Sequence, residues 1–124
     1  MPHITVDYSA ELADAFDRRA FALALHPLIA KIVDTKAEAC KTRFRRVEEA
    51  VIADGGAEHA MVYAQIAVMA GRSPQVKAEL SEAVLELVAA HLAPTPRLRV
   101  QSAVDISELD PAWYRKHIEP AKEA

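Results

Sequence analysis

Residues 3–8 alternate strictly between apolar and polar positions. Ile4, Val6 and Tyr8 fall on one side and His3, Thr5 and Asp7 on the other, the period of a half-buried strand. From about Asp14 to Val33 the spacing turns helical, carried by Phe16, Ala20, Leu23, Leu28, Ile29 and Ile32. Pro27 falls inside this segment, which predicts a kink or a break into two pieces: proline lacks the N–H of a helical hydrogen bond and its ring crowds the preceding turn. Residues 41–52 read as a second strand, with Phe44 on one side and Lys41, Arg43 and Arg45 on the other. The following Ala53–Gly56 (Ala-Asp-Gly-Gly) marks a turn.

The scheme then repeats. Residues 60–69 form the most apolar strand of the chain, and Gly71-Arg72-Ser73-Pro74 follows it. Ser73 is placed to cap a helix and Pro74 to occupy its first position. That helix, from Pro74 to about Leu92, carries Leu80, Val84, Leu87 and Val88 on one side and Lys77, Glu79, Glu82 and Glu86 on the other. Pro94 and Pro96 stop it, and a fourth strand runs from about Leu98 to Ile106 before a tail holding Trp113 and Tyr114. Strand-helix-strand, twice over, implies two parallel pairs of strands, since a crossover of this length is what parallel strands need. The expected fold class is therefore α+β: two fused β-α-β units, a four-stranded sheet with two helices on one face. The opposite face would stay open in a single chain. Ile66 and Val68 argue that it is covered, which predicts an oligomer.

The bulk numbers narrow the function. A length of 124 residues fits a single domain, 1–124, with pseudo-repeat units at about 2–57 and 58–124. Apolar residues at 52% and charged residues at 27% are ordinary for a globular protein. A net charge of -3 argues against nucleic acid as a partner, because phosphate binding requires a basic surface. The single cysteine, Cys40, excludes an intrachain disulfide and any cysteine-based metal cluster. No apolar run approaches the ~18 residues of a membrane span, and the start lacks the basic stretch and long apolar run of a signal peptide. The expected partners thus include neither nucleic acid nor a membrane, and the expected compartment is the cytoplasm.

Candidate chemistry begins at Pro2. Met1 is readily removed when the next residue is this small, which would leave proline's secondary amine at the chain terminus, beside a buried strand. An α-amino group titrates near pKa ~7.7–8.0 in water, and burial or nearby cations push it lower. Such an amine would be largely neutral at pH 7 and able to accept a proton. If Met1 is retained, the Pro2 nitrogen is an amide and no base. His26, His59, His91 and His117 show no metal-type spacing, so no metal site is expected. His3 reads as an exposed strand-edge residue, Cys40 as a buried thiol, and Trp113 and Tyr114 as packing or intersubunit contacts. There is neither a nucleotide-binding glycine loop nor a serine nucleophile elbow.

Three segments read together carry a resemblance: Pro2-His3 at the start, Ala70-Gly71-Arg72-Ser73 entering a helix, and Glu108-Leu109-Asp110-Pro111 near the end. With the doubled strand-helix-strand plan, the chain resembles the tautomerase superfamily over nearly its whole length, and within it the 5-carboxymethyl-2-hydroxymuconate isomerases. The resemblance implies a homotrimer that uses the terminal proline as acid-base catalyst and takes no cofactor or metal. It also implies a substrate that is a 2-hydroxy-diene di- or tricarboxylate from the breakdown of aromatic rings. Arg72 matches the arginine of the family's Gly-Arg-Ser turn, which resembles a substrate-carboxylate clamp. Arg43 matches a second family arginine, while Lys41 stands where another arginine is expected; lysine keeps the charge but lacks the planar fork. Ala50 replaces a tryptophan expected in a pocket wall. Aligning the second unit on the first places Val62 opposite Pro2, so one catalytic nitrogen per chain is implied.

The residues bear an independent reading of this chemistry. A 1,3-allylic proton shift needs one group to take a proton and return it to another carbon, plus cations for carboxylates and enolate charge. Pro2 suits the first task and Arg72, Arg43 and Lys41 the second. Two alternatives remain open. One is a non-catalytic trimer of the same fold that binds a small carboxylate or a protein partner. The other is a ferredoxin-like α+β barrel of the small-monooxygenase kind, dimeric, in which the second residue has no special role.

Overall fold

The computed structural model describes residues 1–122. Four strands, β1 (His3–Ser9), β2 (Lys41–Val47), β3 (His59–Met69) and β4 (Arg99–Leu109), form one sheet in the order β2-β1-β3-β4. Helix α1 (Arg18–Val33) links β1 to a parallel β2, and α2 (Pro74–Ala90) links β3 to a parallel β4. β1 and β3 meet antiparallel at the centre. This is the α+β arrangement expected from the alternation and spacing of the chain.

Strand parity decides what is buried. Ile4, Val6 and Tyr8 of β1 and Val62, Ala64, Ile66 and Val68 of β3 pack under Phe21, Leu25 and Ile29 of α1 and Leu80, Val84 and Val88 of α2. The expectation for Ile66 and Val68 is thereby corrected: both are fully buried beneath the helices and do not face the open side. Alternation could not separate the faces of β3, because its other parity, though it includes His59 and the exposed Gln65, is mostly apolar too, with Met61, Tyr63, Ala67 and Met69 half-buried.

Other boundaries shift for local reasons. α1 starts at Arg18 rather than near Asp14, since the Asp17 carboxylate accepts a hydrogen bond from the Ala20 amide (3.2 Å) and so caps the helix. The residues before it form a 3-10 turn at Ala10–Leu12 and a bridge between Phe16 and Leu92. α1 runs unbroken through Pro27. Pro27 is exposed, as is Leu23 one turn earlier at 59%, so the carbonyl left without a donor faces water. The buried stripe of α1 is Phe21, Leu25, Ile29 and Val33, every fourth residue, with Leu23 outside it.

β2 ends at Val47, not at residue 52. Its one neighbour is β1, which ends at Ser9 opposite Val47, so nothing remains to pair with residues 48–52. β4 outruns its expected end at Ile106, because β3 pairs with it as far as Met69 opposite Leu109. Ser73 caps α2 as its position suggested, accepting from the Val76 amide at 3.2 Å, with Pro74 in the first turn.

Candidate active site

The topology gathers one end of the sheet. β1 and β2 begin there, β3 and β4 end there, α1 arrives with its C-terminus and α2 departs with its N-terminus. Pro2, Lys41 and Arg72 all lie at this end. Pro2 is buried, and its carbonyl accepts the Lys41 amide at 3.1 Å. The amine of Met1 donates to the Ala39 carbonyl at 2.9 Å. Burial first, then the charges of Lys41 and Lys116, lower the pKa of that amine below its usual 8.0, against a smaller opposing effect of Cys40.

The helix-free face of the sheet carries charge in rows set by the register. His3 lies beside Lys41, Thr5 beside Arg43, and Asp7 beside Arg45. Arg45 is held by the Asp7 carboxylate through two hydrogen bonds of 2.6 and 3.1 Å. Lys41 Nζ donates to the Ala39 carbonyl at 2.7 Å. Arg43 is exposed and forms no ion pair among the described residues. Of the three basic residues on this strand face, Arg43 is therefore the one whose guanidinium is open to an anion.

Two residues that sequence reasoning set aside join this cluster. The chain turns sharply after β4, where the Asp110 carboxylate accepts from the Ala112 amide at 2.8 Å and the Asp110 carbonyl accepts from the Tyr114 amide at 2.9 Å. That turn brings the Tyr114 hydroxyl to 2.8 Å from His3 Nε2, the rings edge to face. The pKa of His3 is lowered, first by burial and then by Lys41, Arg43, the terminal amine and Lys116. The available signal for His3 was its shared strand parity with residues paired to Lys41 and Arg43; nothing local announced Tyr114 or Lys116, more than 100 residues away. Trp113, by contrast, is 76% exposed and packs on little of its own chain.

Arg72 occupies a neighbouring place. Its Nε and Nη2 donate to the Val33 carbonyl at 3.1 and 2.8 Å, and its Nη1 donates to the Met69 carbonyl at 3.2 Å. Val33 ends α1, where carbonyls lack helical partners, so the guanidinium caps that helix and complements its dipole. One N–H on each Nη remains for another acceptor. A cleft of about 410 Å³ beside it is lined by Val33, Asp34, Ala70, Gly71, Ser73 and other neighbours, without Pro2, Lys41 or Arg43. The structure thus groups Lys41 and Arg43 with His3, and places Arg72 at the same sheet end in a cleft of its own.

The remaining polar groups lie elsewhere. Ala50 sits exposed in the loop after β2, at the opposite end from Pro2. Cys40 is buried, and burial raises its thiol pKa, so it is unreactive. Asp54, Glu58 and His59 bring their ligand atoms within 4.8 Å of one another, a donor set a metal could use. Their contacts are those of histidine–carboxylate pairs, His59 Nε2 lying 3.0 Å from Asp54 and 3.3 Å from Glu58.

The fold is that of the tautomerases. A 5-carboxymethyl-2-hydroxymuconate isomerase from Deinococcus radiodurans R1 matches with a TM-score of 0.83 and 24% identity, covering 95% of this chain and 90% of that one. N1, a member of the cis-3-chloroacrylic acid dehalogenase family, matches with a TM-score of 0.72 at 21% identity over 98% of this chain and 84% of that one. A fused 4-OT protein described as a symmetric trimer matches with a TM-score of 0.72 at 20% identity, over 89% and 87%. No match was found among the curated proteins. The model of the 5-carboxymethyl-2-hydroxymuconate isomerase family matches residues 2–120, and the chain belongs to that family of isomerases.

Proposed function

We propose that this isomerase moves a proton within a 2-hydroxy-dienoate di- or tricarboxylate of the 5-carboxymethyl-2-hydroxymuconate type, with Pro2 as acid-base catalyst once Met1 is removed. The observation that carries this reading is the setting of the chain terminus: the Met1 amine is partly buried beside Lys41 and Lys116, and burial with those charges lowers its pKa. A proline amine next to it would meet the same burial and the same cations, which favour the neutral, proton-accepting form. It takes the proton from the enol oxygen, which leaves a dienolate, and delivers it to the far carbon of the diene as the conjugated ketone forms. The double bond moves, no atom is gained or lost, and no cofactor or metal is needed for the balance.

Arg43 and Lys41 hold carboxylate on the helix-free face of the sheet, and the free N–H groups of Arg72 hold carboxylate or enolate charge at the neighbouring corner. The active form is a homotrimer, which buries the half-exposed Met61, Tyr63 and Met69 of the open face; the symmetric trimer of the fused 4-OT protein supports this. The protein works in the cytoplasm, in the breakdown of aromatic compounds. Among the described residues no helix is long and apolar enough to cross a membrane.

The test is ketonisation of 5-carboxymethyl-2-hydroxymuconate followed by ultraviolet absorbance. Arg43→Ala is expected to raise KM about tenfold or more, the loss of one charge-assisted hydrogen bond, with a smaller change in kcat. An unchanged KM would remove Arg43 from the carboxylate site.

A further inference from the structure

His3 is the one ring among the cations at the head of β1. Lys41 and Arg43 face it from β2, the terminal amine adjoins it, and Lys116 and Tyr114 face it from the C-terminal segment. From β3 it meets only Ala67, which cannot ionise. Burial and these surrounding charges disfavour an imidazolium, so the ring is neutral at pH 7. A neutral imidazole has one N–H and one bare nitrogen, and its hydrogen bonds decide which is which.

Tyr114 makes that decision. Its hydroxyl lies 2.8 Å from Nε2, and a phenol (pKa ~10) is a far stronger proton donor than a neutral imidazole N–H. The pairing is therefore O–H donating to a bare Nε2, which leaves the proton on Nδ1. Nδ1 has no partner among the described residues and is open to solvent. We propose that Tyr114 is a positioning residue that locks His3 in its Nδ1–H tautomer, making His3 a neutral hydrogen-bond donor to a substrate oxygen beside Pro2. This rests on the reading of Pro2 as the proton carrier. A neutral donor there binds an enolate or carboxylate oxygen without offering the substrate a second acid that competes with the proline.

The test uses full-length protein lacking Met1, labelled with nitrogen-15, in the wild type and in Tyr114→Phe, which keeps the ring and removes the hydroxyl. Ring nitrogen shifts should show Nδ1 protonated and Nε2 bare in the wild type. In Tyr114→Phe the Nε2–H form should gain, the His3 pKa should rise, and kcat/KM should fall about tenfold, mainly through KM. His3→Asn, whose side-chain N–H lies near the position of Nδ1–H, should keep more of kcat/KM than His3→Ala. Ring shifts identical in both proteins, or a wild-type Nε2–H tautomer, would overturn the lock. Equal losses in His3→Asn and His3→Ala would overturn the donor role. A wild type that holds the Nδ1–H form yet turns over no dienol contradicts the proposed reaction, and the substrate role of His3 falls with it while the lock by Tyr114 stands.

Discussion

Pro2→Ala is expected to lower kcat/KM for ketonisation by about 10²- to 10⁴-fold, the range of a positioned acid-base group, while leaving the fold intact. Alanine is also small enough for Met1 to be removed, so the variant still ends in a free amine. What it loses is the pyrrolidine ring, which fixes the direction of the nitrogen lone pair. A primary amine turns freely about its N–Cα bond and presents the lone pair to the substrate only part of the time. The rate of the wild type should rise with pH as the Pro2 amine loses its proton, with a midpoint below that of a freely solvated proline amine, because burial and nearby cations such as Lys41 disfavour the charged form. Unchanged kinetics in Pro2→Ala would show that the pyrrolidine ring is not needed for the proton transfer. Since Pro2 is buried at the edge of the core rather than within it, circular dichroism and oligomeric state should not change.

Arg72→Ala should cost both activity and stability. The guanidinium serves the Val33 and Met69 carbonyls with three N–H groups, and removing it leaves the acceptors of buried Val33 and half-buried Met69, and so the end of α1, without their donor. The expected loss is about 2 kcal/mol in urea unfolding, within the ~1–3 kcal/mol of an orphaned acceptor. On the proposed function the same change also removes a hydrogen-bonded cation from the carboxylate site. At a temperature where the variant is fully folded, kcat/KM should then fall about 10²-fold. Arg72→Lys should keep part of the activity but little of the clasp, because an ammonium cannot grip one carbonyl with two parallel N–H groups. A destabilised but fully active Arg72→Ala would show that this arginine serves α1 alone.

Much of this architecture was legible in the chain, and the exceptions have physical causes. The alternation Ile4-Val6-Tyr8 and the Ser73-Pro74 cap are local signals, and both describe what is observed. Pairing is not local: β2 stops at Val47 because β1 stops at Ser9, a limit written in another strand. Pro27 reads as a break, yet its turn of α1 faces water, which supplies the missing donor. The two faces of β3 are both apolar, so the pattern could not say which one the helices cover. At the site, Lys41, Arg43 and Arg72 stand out as charges in a strand and a turn. The fate of each is set by neighbours: the Ala39 carbonyl holds Lys41, Val33 holds Arg72, and Arg43 stays open. His3 acquires its meaning only when the turn at Asp110 returns Tyr114 to it.

The most direct measurement compares two preparations of the wild-type chain, one whose mass shows Pro2 as the first residue and one in which a residue is retained before it. Ultraviolet-monitored ketonisation of 5-carboxymethyl-2-hydroxymuconate should be fast in the first. In the second it should fall to the background rate, because there the Pro2 nitrogen is an amide. Equal turnover in both would contradict the assignment of the proton transfer to Pro2, and no turnover in the correctly processed protein would contradict the proposed substrate.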